Sequence, residues 1–212
     1  MVNRDTQVKV KVCGMTNLKD VLAAVDAGAD AVGFIFYKKS PRSVNMKTVR
    51  EIIQELPPFV DAVGVFVNET AEQINNIADR CNLDRVQLHG DESPTFCKRI
   101  KRRVIKAIRV KDIQSLKQLS GYTVSSFLLD THSEGQQGGT GKVFDWSLAY
   151  PAKKYGSIIL AGGLTPANVR GAIQRVQPYG VDVCSGVESQ PGIKDHTKMR
   201  AFLKNVKAGR KI

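Results

Sequence analysis

VKVKVCGMTNLKDVLAAVDAGADAVGFIF, residues 8–36, decides the fold. Its ends are short β-branched runs, VKVKVC (8–13) and AVGFIF (31–36), and its middle has helical spacing. Leu18, Val21, Leu22 and Val25 make one apolar stripe, with Asn17 placed to cap its start and Gly28 to end it in a left-handed turn. Strand, helix and strand in that order make a βαβ unit, because two parallel strands need a crossover connection.

The alternation continues through DAVGVFV (61–67), RVQLH (85–89), VIKAI (104–108), SFLLD (126–130), SIILA (157–161) and VDVC (181–184), which brings the strands to eight. Val49, Ile52, Ile53 and Leu56 form a second helical stripe, stopped by Pro57-Pro58. Ile74, Ile77, Ala78 and Cys81 form a third after Thr70. Pro166, Val169, Ile173 and Val176 outline a fourth, with Thr165 as the expected cap. A strand, a helix and two loops take roughly 25 residues, so eight units need about 200. The chain has 212 and no Pro/Gly/Ser-rich linker. The expectation is an α/β protein, a single-domain (β/α)8 TIM barrel of eight parallel strands over residues 1–212. A short basic tail is expected at its C-terminus, where Lys204, Lys207, Arg210 and Lys211 are read as a solvated helix face plus that tail. The sixth unit is the weakest, a glycine-rich loop followed by FDWSLAYPAKKYG, which Pro151 interrupts. An open doubly wound sheet is the alternative, but the GxGxxG often found in its first turn is missing after Cys13.

Composition narrows the function classes. A chain 42 % hydrophobic and 25 % charged can bury a core, which excludes a disordered tail protein. No run of about 18 apolar residues exists, and MVNRDTQVKV has no apolar signal region, so we expect a cytoplasmic protein with no membrane partner. Cysteines at 13, 81, 97 and 184 form no CxxC pair and have no histidine cluster beside them, so neither a metal site nor a disulfide framework is expected. The net charge of +12 fits nucleic acid, a membrane surface or an anionic small molecule. No aromatic RNA-binding signature or zinc-finger spacing accompanies it, so no nucleic-acid partner is expected.

Barrels of this kind carry their chemistry at the carboxyl ends of the strands. Cys13, His89, Asp130 and Cys184 fall there, Arg42 follows strand two, Asn68 closes strand three and Arg109 follows strand five. Strand parity turns Val8, Val10 and Val12 to the helices and Lys11 and Cys13 to the interior. Asp182, on the adjacent last strand, is the candidate partner for Lys11, the alternative being a Lys11 that lies near water unpaired. AGGLTPANV (161–169) and CSGVES (184–189) place two glycine-containing loops side by side. Their exposed amides, with the helix N-termini expected behind them, suit a phosphate.

Nine segments in order carry a family resemblance. They are KVCGMTN (11–17), GFIFYKKSPRSV (33–44), VGVFVNE (63–69), VQLHGDE (86–92), IKAIRV (105–110), LLDT (128–131), GGTGKVFDW (138–146), LAGGLTPANV (160–169) and VDVCSGVES (181–189). Together they resemble the phosphoribosylanthranilate isomerases of tryptophan biosynthesis, an aromatic amino-acid pathway. One residue departs from the family's usual pattern: Cys184 stands where Ser is more common. The resemblance implies an aldose–ketose isomerase that performs an Amadori rearrangement without a redox cofactor. Its substrate is an anionic phosphosugar, N-(5-phosphoribosyl)anthranilate, and its product is 1-(2-carboxyphenylamino)-1-deoxyribulose 5-phosphate. It further implies Asp130 as general acid, Cys13 as general base and Arg42 on the anthranilate carboxylate, with phosphate on Gly141, Gly162, Gly163, Ser185 and Gly186. Asp130 must then be protonated in the reactive state and Cys13 a thiolate. His89 is given no catalytic part. GQQGGTGK (135–142) is expected to close over substrate. Other phosphosugar barrels, an indole-glycerol-phosphate synthase or a ribulose-phosphate epimerase, are the enzyme alternatives, and an RNA-binding module is the non-enzyme one. Monomer and homodimer stay undecided.

Overall fold

The computed structural model describes residues 7–130 and 146–209. Eight strands close a barrel in chain order. They are β1 (Lys9–Cys13), β2 (Ala31–Ile35), β3 (Asp61–Phe66), β4 (Arg85–Leu88), β5 (Arg103–Arg109), β6 (Ser126–Asp130), β7 (Ser157–Leu160) and β8 (Gly180–Val183). Every neighbouring pair is parallel, including β1 with β8, which closes the ring with Lys11 opposite Asp182 and Val12 opposite Val183. The TIM barrel expected from the alternation is therefore the fold, and the open sheet is excluded.

Parity divides the strands as the valines of β1 indicated. Val10, Val12, Val32, Phe34, Phe66, Val86 and Leu88 are buried between strands and helices. Val63, Ile105, Ala107, Leu128, Ile159 and Ala161 form a separate cluster. Apolar layers on both faces are what a buried parallel sheet requires. Lys11 and Cys13, alternating with the outward valines, point inward with the second layer.

The helices are α1 (Leu18–Ala27), α2 (Met46–Ile53), α3 (Ala71–Arg80), α4 (Pro94–Cys97), α5 (Val169–Val176) and α6 (His196–Ala208). Asn17 caps α1 by accepting from the Asp20 amide, and Gly28 ends it at φ 98°, as expected. The fifth and sixth connections contain 3₁₀ turns in place of α-helices: Ile113–Gly121, then Trp146–Ala149 and Pro151–Tyr155. Pro151 starts the last of these, where its missing N–H has no helical role.

One expectation needs correction. Thr165 is not the cap of α5, which begins at Val169 after Asn168. The Asn168 side chain folds back instead, accepting from the Thr165 amide and donating to the Gly163 carbonyl, so residues 165–168 are a turn. Of the basic residues near the C-terminus, Lys204 and Lys207 lie on α6, while residues 210–212 lie outside the described region. A hairpin not foreseen in the sequence, β9 (Glu188–Gln190) and β10 (Ile193–Lys194), follows β8 and turns at Gly192 with φ 84°. It returns Lys194 to Glu188 beside the barrel mouth. Among the described residues no helix is long and apolar enough to cross a membrane.

Candidate active site

A cavity of about 180 Å³ opens at the carboxyl ends of the strands. Cys13, Gln87, His89, Asp130, Gly162, Gly163, Asp182, Cys184, Ser185 and Gly186 line it. A larger cavity, about 400 Å³, lies at the opposite end around Lys9, Asp30, Asp61 and Arg85. Four of its charges pair with each other, Lys9 with Asp30 and Arg85 with Asp61. Chemistry belongs at the carboxyl end, where unlike groups converge on one space.

The floor of that space is an ion pair. Lys11 Nζ donates to Asp182 Oδ1 at 2.9 Å, and both side chains are more than nine-tenths buried. The strand-parity assignment is thus realised, and the unpaired alternative is not. Burial opposes the Lys11 charge, but Asp182 and Cys13 outweigh it and raise its pKa. Burial pushes Asp182 the other way from an exposed carboxyl, up to about 7, against the pull of Lys11. Lys11→Met is therefore expected to destabilise by about 3 kcal/mol at pH 8, where Asp182, without the pull of Lys11, must either stay ionised unpaired or fold with an added proton. At pH 5 Asp182 folds protonated, and the loss measured in the same urea titrations is expected to be smaller.

Cys13 sits above this pair, 5 % exposed. A Cβ on Gly33 would meet Cys13 Sγ at 2.8 Å and Lys11 Nζ at 3.1 Å, so sulfur and ammonium share one small space. Cys184, next in register on the neighbouring strand end, is a hydrogen-bonding neighbour of Cys13, and its thiol also faces Glu188 Oε1 at 4.0 Å. The contact with Cys184, with Lys11 and Lys194, outweighs burial and holds the Cys13 thiol well below the ordinary thiol range. The same contact pushes Cys184 up, so Cys184 remains a thiol when Cys13 is a thiolate.

Across the cavity, Asp130 Oδ2 lies 3.1 Å from His89 Nε2, and His89 Nδ1 lies 3.0 Å from Gln87 Nε2. With the Gln87 amide donating to Nδ1, the ring proton sits on Nε2 and points at Asp130. Gln87 Oε1 is then buried without a partner. Turning the amide over pairs Oε1 with Nδ1–H and leaves Nε2 as an acceptor for a proton on Asp130.

The two glycine loops meet at the rim. Gly162 and Gly163 have φ 80° and 65°, and Ser185–Val187 is a single 3₁₀ turn. A Cβ on Gly186 would stand 1.9 Å from the Leu164 carbonyl oxygen, so the close approach of the loops requires glycine there. Because α5 starts at Val169, the cradle consists of loop amides and left-handed glycines rather than a helix end.

Arg42 does not line the cavity. It stands beside the rim over Gly14, with Nε and Nη2 donating to Glu188 Oε1 and Oε2 at 2.8 and 2.6 Å. Lys194, whose side chain is wholly buried, donates to Glu188 Oε1 at 2.9 Å. Burial works against the Glu188 charge, but Arg42 and Lys194 hold it below the ordinary carboxylate range.

Comparison with known proteins bears on the family and the fold. The sequence profile described as N-(5′-phosphoribosyl)anthranilate isomerase matches residues 10–205. The chain belongs to the phosphoribosylanthranilate isomerase family. The N-(5′-phosphoribosyl)anthranilate isomerase of Geotalea uraniireducens is 58 % identical over 199 residues, covering 94 % of this chain and 98 % of its own. That of Pelobacter propionicus is 55 % identical over 203 residues, covering 96 % and 97 %. The Thermotoga maritima phosphoribosylanthranilate isomerase superposes with a TM-score of 0.88 at 47 % identity, over 95 % of this chain and 99 % of that one. A phosphoribosylanthranilate isomerase solved with reduced 1-(o-carboxyphenylamino)-1-deoxyribulose 5-phosphate superposes with a TM-score of 0.85 at 45 % identity, over 95 % and 99 %.

Within this isomerase fold, the residues singled out from the sequence divide into three groups. Cys13, Asp130, Gly162, Gly163, Ser185 and Gly186 come together around one cavity, and Arg42 stands at its edge. Gly141 and the loop 135–142 lie outside the described residues. Glu188, Lys194 and the contacts of His89 and Cys184 were missed. Glu188 lay inside a quoted motif, but its partner Arg42 is 146 residues away in the chain.

Proposed function

We propose that this chain converts N-(5′-phosphoribosyl)anthranilate to 1-(o-carboxyphenylamino)-1-deoxyribulose 5-phosphate, with Asp130 as acid and Cys13 as base. The observation that carries the reading is the placement of a carboxyl and a lowered thiol around one cavity, beside a glycine cradle. An Amadori rearrangement needs those two groups. The acid protonates the ring oxygen so the furanose opens, and the base removes the proton from C2′ of the resulting imine. Cys13 accepts that proton as thiolate. His89 holds Asp130 in line and shares its proton through Nε2.

The phosphate rests on the amides of Gly162, Gly163, Ser185 and Gly186, with Gly141 the further contact expected from the sequence. Arg42 takes the anthranilate carboxylate through the guanidinium hydrogens that Glu188 leaves open. Glu188 and Lys194 fix the plane of that guanidinium. The ligand in the related complex carries both a carboxyphenyl group and a phosphate, which supports both assignments. In this reading residues 1–212 work as one catalytic domain on a small anionic substrate, in tryptophan biosynthesis.

The test is turnover of freshly generated N-(5-phosphoribosyl)anthranilate, followed by loss of its fluorescence. No turnover by the folded protein overturns the assignment. Glu188→Gln is expected to raise KM at least about tenfold and change kcat less, because it frees Arg42 without touching the reacting atoms. An unchanged KM sinks the role given to Arg42. The pH profile has a determined sign. A lowered Cys13 pKa keeps the base ionised at neutral pH, so kcat/KM falls as pH drops through the thiolate's own pKa. That acid limb is expected to coincide with the loss of iodoacetamide reactivity at Cys13 and to lie well below pH 9.

A further inference from the structure

Cys184 is a thiol at the site for which the isomerisation has no chemical use. It follows β8, and Cys13 ends β1. Val12 is opposite Val183 in the parallel register, so Cys13 and Cys184 are the next facing pair. Neighbouring strands run about 4.8 Å apart, within the Cα separation a disulfide spans. The side chains also converge: a Cβ on Gly14 would meet Cys184 Sγ at 2.9 Å, and Cys184 hydrogen-bonds Cys13. Both line the cavity, which is large enough for a molecule the size of peroxide. Cys81 and Cys97 are buried elsewhere and have no cysteine partner.

We propose that Cys13 and Cys184 are a peroxide-reactive pair, in which Cys184 converts oxidised Cys13 into a reversible disulfide. The Cys13 thiolate attacks one oxygen of hydrogen peroxide, the O–O bond breaks, and Cys13 becomes a sulfenic acid as hydroxide leaves. Cys184 then gives up its proton, which ends on the departing sulfenic oxygen, and its sulfur attacks the sulfenic sulfur, while the hydroxide of the first step takes a proton from solvent. The S–O bond breaks and water leaves. Two thiols are oxidised and one peroxide is reduced to two waters.

The surroundings favour this sequence. Cys184 is kept protonated first by its hydrogen bond to Cys13, with burial and the Cys13 charge adding to it, while Lys194 and Arg42 pull the other way. Oxidation of Cys13 to a neutral sulfenic acid removes the thiolate. Lys194 Nζ, 4.0 Å from Cys184 Sγ, and Arg42 then stabilise the Cys184 thiolate at the moment it is needed. Glu188 Oε1, also 4.0 Å away, is the acidic group facing it. A disulfide rather than a sulfinic acid leaves Cys13 recoverable by thiols.

The experiment treats the full chain with a small excess of hydrogen peroxide and reads intact mass and peptide maps. Loss of two hydrogens and a Cys13–Cys184 cross-linked peptide are expected. Both thiols should disappear together, at least about tenfold faster than Cys81 and Cys97. Dithiothreitol should restore both. In Cys184→Ser, Cys13 should be trapped by a sulfenic-acid probe and then gain two oxygens, which dithiothreitol does not remove. Gain of oxygen on Cys13 in the unsubstituted chain without the cross-link overturns the proposal, as does oxidation of all four cysteines at one rate. The mass readout does not depend on turnover, so it stands or falls apart from the isomerase reading.

Discussion

Asp130→Asn is expected to lower kcat by about 10²–10⁴-fold while KM stays within a few fold. An amide fills the same volume and can still meet His89 Nε2, so the fold and cavity persist. What it cannot do is deliver a proton to the ring oxygen. Ring opening then depends on water or on His89 alone, at a position set for contact with Asp130 and not with substrate. Cys13→Ser is expected to fall by a similar factor for the complementary reason. A serine hydroxyl in that position keeps the hydrogen bonds of Cys184 and Lys11, but neither neighbour ionises an alcohol at neutral pH. The measurement is steady-state turnover of N-(5-phosphoribosyl)anthranilate by fluorescence, with thermal melts to show that both variants are folded. If Asp130→Asn retained more than about a tenth of kcat, the acid would be another group. The double variant is expected to be little worse than the poorer single one, because acid and base serve one reaction coordinate.

The barrel was legible because its signals are local. Period-2 runs such as VKVKVC and a capped stripe from Asn17 to Gly28 state their conformation within a few residues. The β1 valines also indicated which residues point inward and made Asp182 the candidate partner of Lys11, with an unpaired Lys11 left open until the ring closes. The start of α5 was misplaced because Thr165-Pro166 has the composition of a helix start. The Asn168 side chain, however, bonds backward to residues 163 and 165 and holds that segment in a turn. The short hairpin of β9 and β10 left no trace in a pattern search, since two paired residues of Ile193–Lys194 show no periodicity. Its consequence is functional. It returns Lys194 to Glu188 and Cys184, and no spacing rule connects those three to Arg42. Side-chain networks assembled from distant loops depend on closure of the ring, which is a tertiary event. The basic surplus has a small visible part here: Lys11 pairs with Asp182 beneath the cavity, while Arg42 and Lys194 share Glu188 beside its rim, three cations against two carboxylates.

Gly186→Ala is expected to raise KM at least about tenfold and to weaken inhibition by inorganic phosphate to a similar degree. The reason is steric and leaves no easy escape. The added methyl would stand 1.9 Å from the Leu164 carbonyl oxygen and 3.0 Å from its carbon, with Thr165 Cα at 3.3 Å. All three are backbone atoms, so no side-chain rotation relieves the overlap. The loop after β7 and the turn after β8 must move apart, and such overpacking costs about 1–3 kcal/mol. In the proposed function the phosphate rests on amides contributed from both loops, so their separation would spoil the convergence on which that reading depends. Gly163→Ala is the informative contrast. Nothing lies within 4 Å of the added carbon, but the residue sits at φ 65°. It is expected to lose about 1–2 kcal/mol of stability from the left-handed backbone while shifting KM little, since the loops need not part. Measuring melting temperature, KM and phosphate inhibition for both variants separates strain from cradle geometry. A Gly186→Ala protein with unaltered KM and phosphate inhibition would mean that the anion lies elsewhere. The amide cradle between β7 and β8 would then be a packing contact alone.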